Sequence, residues 1–170
     1  YYGNMLSEQT EHHLDTIPYE YLLAVTDDRA FNSLICTTFL PEYGRTNVFK
    51  ASPYNQLDNG YAKGVVSKVG GRILFDKKFP LEILIGKIES GYVFRQTTLT
   101  EQFNFEAYKA EKDPSTIFLY LIKPSGQLKF FSEEMRTVPA IGDKIVSLTP
   151  PTKEQAKIQA KLESNRTLNE

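Results

Sequence analysis

The stretch YEYLLAVTDDRAFNSLICTTFL, Tyr19 to Leu40, sets the architecture of the chain. Its YLLAV is an apolar run short enough for a strand buried on both faces, as strands of parallel sheets are. Thr26-Asp27-Asp28 then turns the chain directly into a helix. Along that helix Ala30, Phe31, Leu34, Ile35 and Thr38 recur at helical spacing and are expected to share one face. Thr26 or Asp27 can cap the first free amides, and Asp28 in the first turn suits the positive end of the helix dipole. Pro41 is expected to end or kink the helix near Leu40, because a proline in a helix interior removes a hydrogen bond and clashes with the preceding turn. Gly44 then permits the turn into NVFKAS, read as a second strand.

Upstream, YYGN reads as the end of a short strand and LSEQTEHHLD as a polar helical segment, with Pro18 resetting the chain before Tyr19. Strand, helix, strand, helix, strand implies parallel strands joined by crossover helices. The chain opens on Tyr1-Tyr2-Gly3 without an initiator methionine. It is therefore expected to be a C-terminal piece of a longer polypeptide.

Composition limits the partners. The chain has 170 residues, 41% of them hydrophobic and 24% charged, which suits one compact domain or two small ones. A formal net charge of −1 argues against nucleic acid as a partner, since such proteins concentrate basic charge on one surface. The single cysteine, Cys36, excludes an intrachain disulfide and any multi-cysteine metal site. No stretch approaches the roughly 20 apolar residues of a membrane helix.

Beyond Pro53, proline, asparagine and glycine punctuate the chain as far as Gly71, and a connector is expected there, with one short element around Ala62 to Val69. GRILF is read as the opening of the second part. In FPLEILIGKIESG, Pro80 sits near a helix start, Gly91 lies just past its end, and Leu81, Leu84, Ile85 and Ile88 make an apolar stripe. YVFRQTTLT reads as a strand and FNFEAYKAEK as a short helix. STIFLYLIK and QLKFFSE form a hairpin about Pro124-Ser125-Gly126, and GDKIVSL is a last strand. Thr152 and Gln155 fit a capping box that opens a terminal helix to about Ser164.

The candidate chemistry is sparse. His12 and His13 are adjacent, so their side chains diverge by about 100° on a helix and do not share a metal. Cys36 reads as a buried structural thiol, and Glu133-Glu134 as a solvated turn. No serine is framed by nucleophile-elbow glycines. These residues offer no catalytic set, and the chain is expected not to be an enzyme. Thr26, Asp27 and Asp28 are a better candidate, because ligands of open α/β sheets bind outside the carboxyl ends of the strands. Gly3 and Asn4 follow the upstream strand and are expected on the same rim. Turn formation and helix capping alone would also account for all five.

Residues 1 to 151 carry a family resemblance. YYGN, the LLAVT strand, the Asp-containing turn, the helix bearing Asn32 and YGR before the next strand resemble the second half of the Rossmann-like domain of potassium-uptake regulators and of the cytoplasmic tails of bacterial cation:proton antiporters. GGRILFDKKFPLEIL, GYVFRQTTLTEQFNFEAY and GDKIVSLTPP resemble the antiporter tails more. The fold class implied is α/β, a partial Rossmann-like parallel sheet followed by a small α+β module with antiparallel strands and a C-terminal helix. The expected division is 1–53 for the half Rossmann-like domain, 54–78 for the connector, 79–151 for the α+β regulatory module and 152–170 for the tail.

The resemblance implies a regulatory domain on the cytoplasmic side of the inner membrane. Its expected partners are the membrane-embedded antiporter domain of the same polypeptide and a second copy in a homodimer, which would cover exposed strand edges. Gly3, Asn4, Thr26, Asp27 and Asp28 match positions flanking the family's nucleotide cleft. The glycine fingerprint of that cleft lies upstream in the relatives, and the 170 residues contain neither G-x-G-x-x-G nor G-x-x-x-x-G-K-S/T. Nucleotide binding by this chain alone is expected to be weak or absent. A stand-alone interaction module using an exposed strand edge is the alternative.

Overall fold

The computed structural model of the chain describes residues 6, 19–52, 70–75, 79–132, 134–135 and 137–152. Gly3, Asn4, His12, His13, the segment 62–69 and the residues past Thr152, where a terminal helix is expected, lie outside the described residues. Two compact units make up the chain, one of residues 1–81 with 132–134, the other of residues 82–131 with 135–170. The fold class is α/β as read: a three-stranded parallel sheet and a separate four-stranded antiparallel sheet.

In the first unit β1 (Leu22–Ala24), α1 (Arg29–Tyr43) and β2 (Val48–Lys50) form a βαβ crossover, with Leu22 opposite Val48 in a parallel pair. A third strand, β3 (Arg72–Ile73), joins the far side of β2, also parallel. GRILF, read from the sequence as the opening of the second part, thus contributes Arg72 and Ile73 to the first sheet. The core between sheet and helix contains Leu22, Ala24, Ile35, Cys36, Phe39 and Val48, with Leu6, Phe31, Leu40 and Tyr43 packed around it.

Two expectations for α1 are corrected. Its core face is Asn32, Ile35, Cys36 and Phe39, while Leu34 is 54% exposed and Thr38 faces solvent. The helix is rotated from the expected stripe so that its small Cys36 and the polar Asn32 meet the sheet and its connecting loop. Pro41 does not end the helix, which runs on to Tyr43. At that position proline forfeits one amide in the last turn, and Gly44 N donates to Leu40 O at 2.9 Å to close the end.

The second unit is ordered β4-β7-β5-β6, where β4 is Val93–Thr98, β5 Ile117–Ile122, β6 Leu128–Phe130 and β7 Lys144–Thr149, all antiparallel. α2 (Leu81–Glu89) precedes β4 and α3 (Phe105–Glu111) precedes β5. Pro80 and Gly91 bound α2 as read: Gly91 takes φ +86°, and Tyr92 N donates back to Lys87 O at 3.0 Å. Leu99, Tyr108, Leu121 and Ile145 make the core, ringed by Phe103, Phe105, Phe118, Phe131 and Met135. The Tyr108 and Ser147 hydroxyls share a buried 2.9 Å hydrogen bond, so the one phenol in this core is satisfied.

Candidate functional site

The carboxyl ends of β1 and β2 lie side by side, and the loops leaving them form the rim to which the sequence pointed. Thr26, Asp27 and Asp28 occupy the β1–α1 turn, and Ala51 and Ser52 follow β2, with Ala51 N bonded to Ala24 O at 2.9 Å. Of the five predicted site residues, three are therefore brought together here, and Gly3 and Asn4 lie outside the described residues.

Asp28 is the N-cap, in place of Thr26 or Asp27. Its extended backbone (φ −85°, ψ 104°) aims the side chain back over the first turn, where Oδ1 accepts from Ala30 N and Phe31 N, both at 2.9 Å. These two amides of the helix N-terminus are thus already paired with a carboxylate, and an incoming anion would have to displace it against its charge. Phosphate binding at this end of α1 is disfavoured on both counts.

Asn32 fixes the loop from behind. Its Oδ1 accepts from Thr26 N at 3.1 Å and from Thr26 Oγ1 at 2.7 Å, while its Nδ2 donates to Thr26 O at 2.7 Å. At 2% exposure this amide is a buried polar group made tolerable only by these bonds. The Thr26 hydroxyl and both its backbone groups are engaged in the same knot, and Asp27 is exposed in the turn beside it.

Behind the rim lies a cluster that the sequence did not announce. Lys50 is 3% exposed at the end of β2, with Nζ donating to Ser33 Oγ at 3.4 Å, and burial lowers its ammonium pKa from the usual 10.5. Cys36 Sγ donates to Phe49 O at 3.4 Å, and its burial raises the thiol pKa, which marks it as inert rather than reactive. Gly70 and Gly71 pass directly over this thiol: a Cβ on Gly71 would stand 2.8 Å from Val48 O and 2.9 Å from Cys36 Sγ. The three residues of VFK are buried throughout, so no alternation marked the lysine as pointing inward.

Among the described residues no group of three or more histidine, cysteine, aspartate or glutamate side chains could hold a metal ion. Nor is any described helix long and apolar enough to cross a membrane. Glu134 lies 3.5 Å from the exposed Arg45 and 3.9 Å from the largely buried Arg72, and Glu133 is outside the described residues.

No protein-family model matches the sequence. No curated protein matches it either. Among solved structures the chain is similar to one described as the crystal structure of the GsuK RCK domain, at 13% sequence identity and a TM-score of 0.31. That similarity covers 94% of this chain and 36% of the other. At this level the likeness carries no argument about fold or function.

Proposed function

We propose that the chain is a non-catalytic regulatory domain of a cation:proton antiporter, acting from the cytoplasmic side on the membrane-embedded part of the same polypeptide. The observation that carries this reading is the parallel β1–α1–β2 crossover with Thr26, Asp27 and Asp28 at its carboxyl rim, in a sequence whose motifs resemble the antiporter tails. The geometry narrows what the rim would recognise. Its carboxylates are acceptors, while the Ala30 and Phe31 amides are already capped. Ribose hydroxyls therefore suit this rim better than phosphates, and phosphate recognition is left to another part of the cleft.

Regulation then follows from linkage. A ligand that prefers one arrangement of this domain shifts the transporter toward the matching state by no more than the difference between its two affinities. The Asn32 knot holds the loop and the helix as one piece, so a contact made at Asp27 is passed to α1 rather than absorbed by the turn.

The test is a melting titration of the purified chain with NAD, NADH, ATP, ADP and cyclic dinucleotides. Binding to the folded state alone adds about 2.7 kcal/mol at a hundredfold excess over Kd, a shift a melt resolves. A nucleotide that binds at this rim raises Tm, by little where the phosphate-cradling half of the cleft is missing, and Asp27→Ala is expected to remove any such rise without lowering the Tm of the free chain. No shift with any of them would count against ligand sensing at this rim.

A second reading has its own observation. Among the described residues β4 is an edge strand, and its Phe94 is 61% exposed, so a protein that adds a strand there would find an aromatic anchor. A stand-alone interaction module would bind through this edge and ignore nucleotides.

A further inference from the structure

Four side chains of the second unit form one directed chain of hydrogen bonds, well apart in sequence from the rim residues. Lys87, in the last turn of α2, donates from Nζ to the Tyr92 hydroxyl at 3.1 Å and lies 4.3 Å from the centre of the same ring. Tyr92 donates to Ser115 Oγ at 2.9 Å, and Ser115 Oγ donates to Asp113 Oδ1 at 2.6 Å. The Ser115 backbone N–H reaches the same Oδ1 at 2.8 Å. Tyr92 immediately precedes β4, and Asp113 and Ser115 sit in the turn between α3 and β5, so the chain ties the α2–β4 corner to the start of β5.

The proton count of this chain makes it responsive. The Ser115 hydroxyl has one hydrogen, committed to Asp113, while it accepts from Tyr92. Once Tyr92 loses its proton to solvent, the phenolate oxygen becomes an acceptor flanked by Lys87 and Ser115. The serine proton can serve only one of two anions. The phenolate is the more basic and is half-buried; the Asp113 carboxylate is exposed and keeps the Ser115 amide. The phenolate therefore takes the serine proton.

The groups facing Tyr92 are Ser115 and Asp113 from the α3–β5 turn and Lys87 from α2. A hydrogen bond from the turned Ser115 hydroxyl and then the Lys87 ammonium favour the phenolate, burial and Asp113 oppose it, and the net effect holds the Tyr92 hydroxyl below its ordinary 10.0. An acid whose pKa is depressed by folding adds stability as pH rises from the depressed value toward the ordinary one, and loses that contribution as pH falls back through it. The tie is therefore tighter on the alkaline side.

We propose that Lys87, Tyr92, Ser115 and Asp113 form an alkaline-responsive clasp, in which ionisation of Tyr92 turns the Ser115 hydroxyl from Asp113 to the phenolate. The Tyr92–Ser115 hydrogen bond reverses, the Ser115 hydroxyl gives up its bond to Asp113 Oδ1, and the released proton goes to water. The α2–β4 corner and the β5 turn are thereby held by a charge-assisted bond in place of a neutral one, and the Asp113 side chain is loosened toward solvent.

The experiment is a carbon NMR titration of the whole chain from about pH 7 to about pH 11, observing tyrosine Cζ and aspartate Cγ. A tyrosine Cζ signal that titrates below the ordinary value is expected for Tyr92, and that signal is expected to vanish in Tyr92→Phe. Asp113 Cγ is expected to shift with the same midpoint, and Lys87→Met and Ser115→Ala are each expected to move that midpoint upward. A Tyr92 midpoint at or above the ordinary value, or an Asp113 signal that stays still at it, would overturn the proposal. Should Tyr92→Phe not fold, the upward shift in Ser115→Ala identifies the resonance, and its absence counts against the clasp.

Discussion

At the start of α1 a single carboxylate oxygen, Asp28 Oδ1, holds two backbone amides, and this determines what each of its neighbours is free to do. Asp28→Ala is expected to destabilise the chain by about 1 kcal/mol through loss of the cap, whereas Asp27→Ala should stay within about 0.5 kcal/mol of the parent because its side chain faces water; urea unfolding of both variants checks the difference. Thr26-Asp27-Asp28 was legible in the sequence as a cap and turn, but not which residue caps. Three adjacent residues all suit the role, and the phase of the first turn is set by the packing of Ile35, Cys36 and Phe39 against the sheet. Asn32 was visible only as a family feature, because its work lies in reaching back six residues to Thr26. Lys50 left no trace at all: a strand of three residues buried throughout shows no alternation to betray an inward lysine.

Element by element the sequence was more informative. Both ends of α2, the hairpin between β5 and β6, and the strands β4 and β7 lie where turn residues and apolar runs placed them. The misreadings were tertiary. The face of α1 was shifted because Leu34 and Thr38 match the helical period as well as Phe39 does, and only the sheet beneath decides between them. β3 was assigned to the wrong side of the chain because two residues carry no pairing preference, and the parallel partner that claims them is more than twenty positions upstream in β2. At Gly71, just before that strand, Val48 of β2 and Cys36 of α1 leave no room for a Cβ. Gly71→Ala is expected to cost about 1–3 kcal/mol by overpacking against Val48 and Cys36. The same exchange at Gly86, whose added Cβ would meet nothing, should be neutral or stabilising by up to about 1 kcal/mol in α2. Paired thermal melts separate the two.

For the whole molecule, composition allowed two small units and the order of elements separated a parallel from an antiparallel sheet, yet neither could show the long-range polar ties. Lys123 Nζ and the buried Asp143 Oδ2 meet at 2.7 Å, and the same oxygen accepts from Ala140 N at 2.8 Å, joining the β5 end to the turn before β7 across twenty residues. Nothing in either local sequence marks the pair. The homodimer expected from the sequence belongs to this scale as well: beside the edges of the parallel sheet, β4 is among the described residues an edge without proline or bulge and with Phe94 exposed, open to a second copy as to another protein. Light scattering at micromolar concentration is expected to give a dimer that Phe94→Glu dissociates, and a monomeric parent chain would remove that part of the reading. The regulatory proposal stands on the rim, and hydrogen exchange of the chain with and without each nucleotide tests it most directly. The account expects slowed exchange confined to the amides of residues 26–31 with the nucleotide that raises Tm, and no such protection in Asp27→Ala; protection appearing elsewhere in the chain, with the 26–31 amides unchanged, would contradict it.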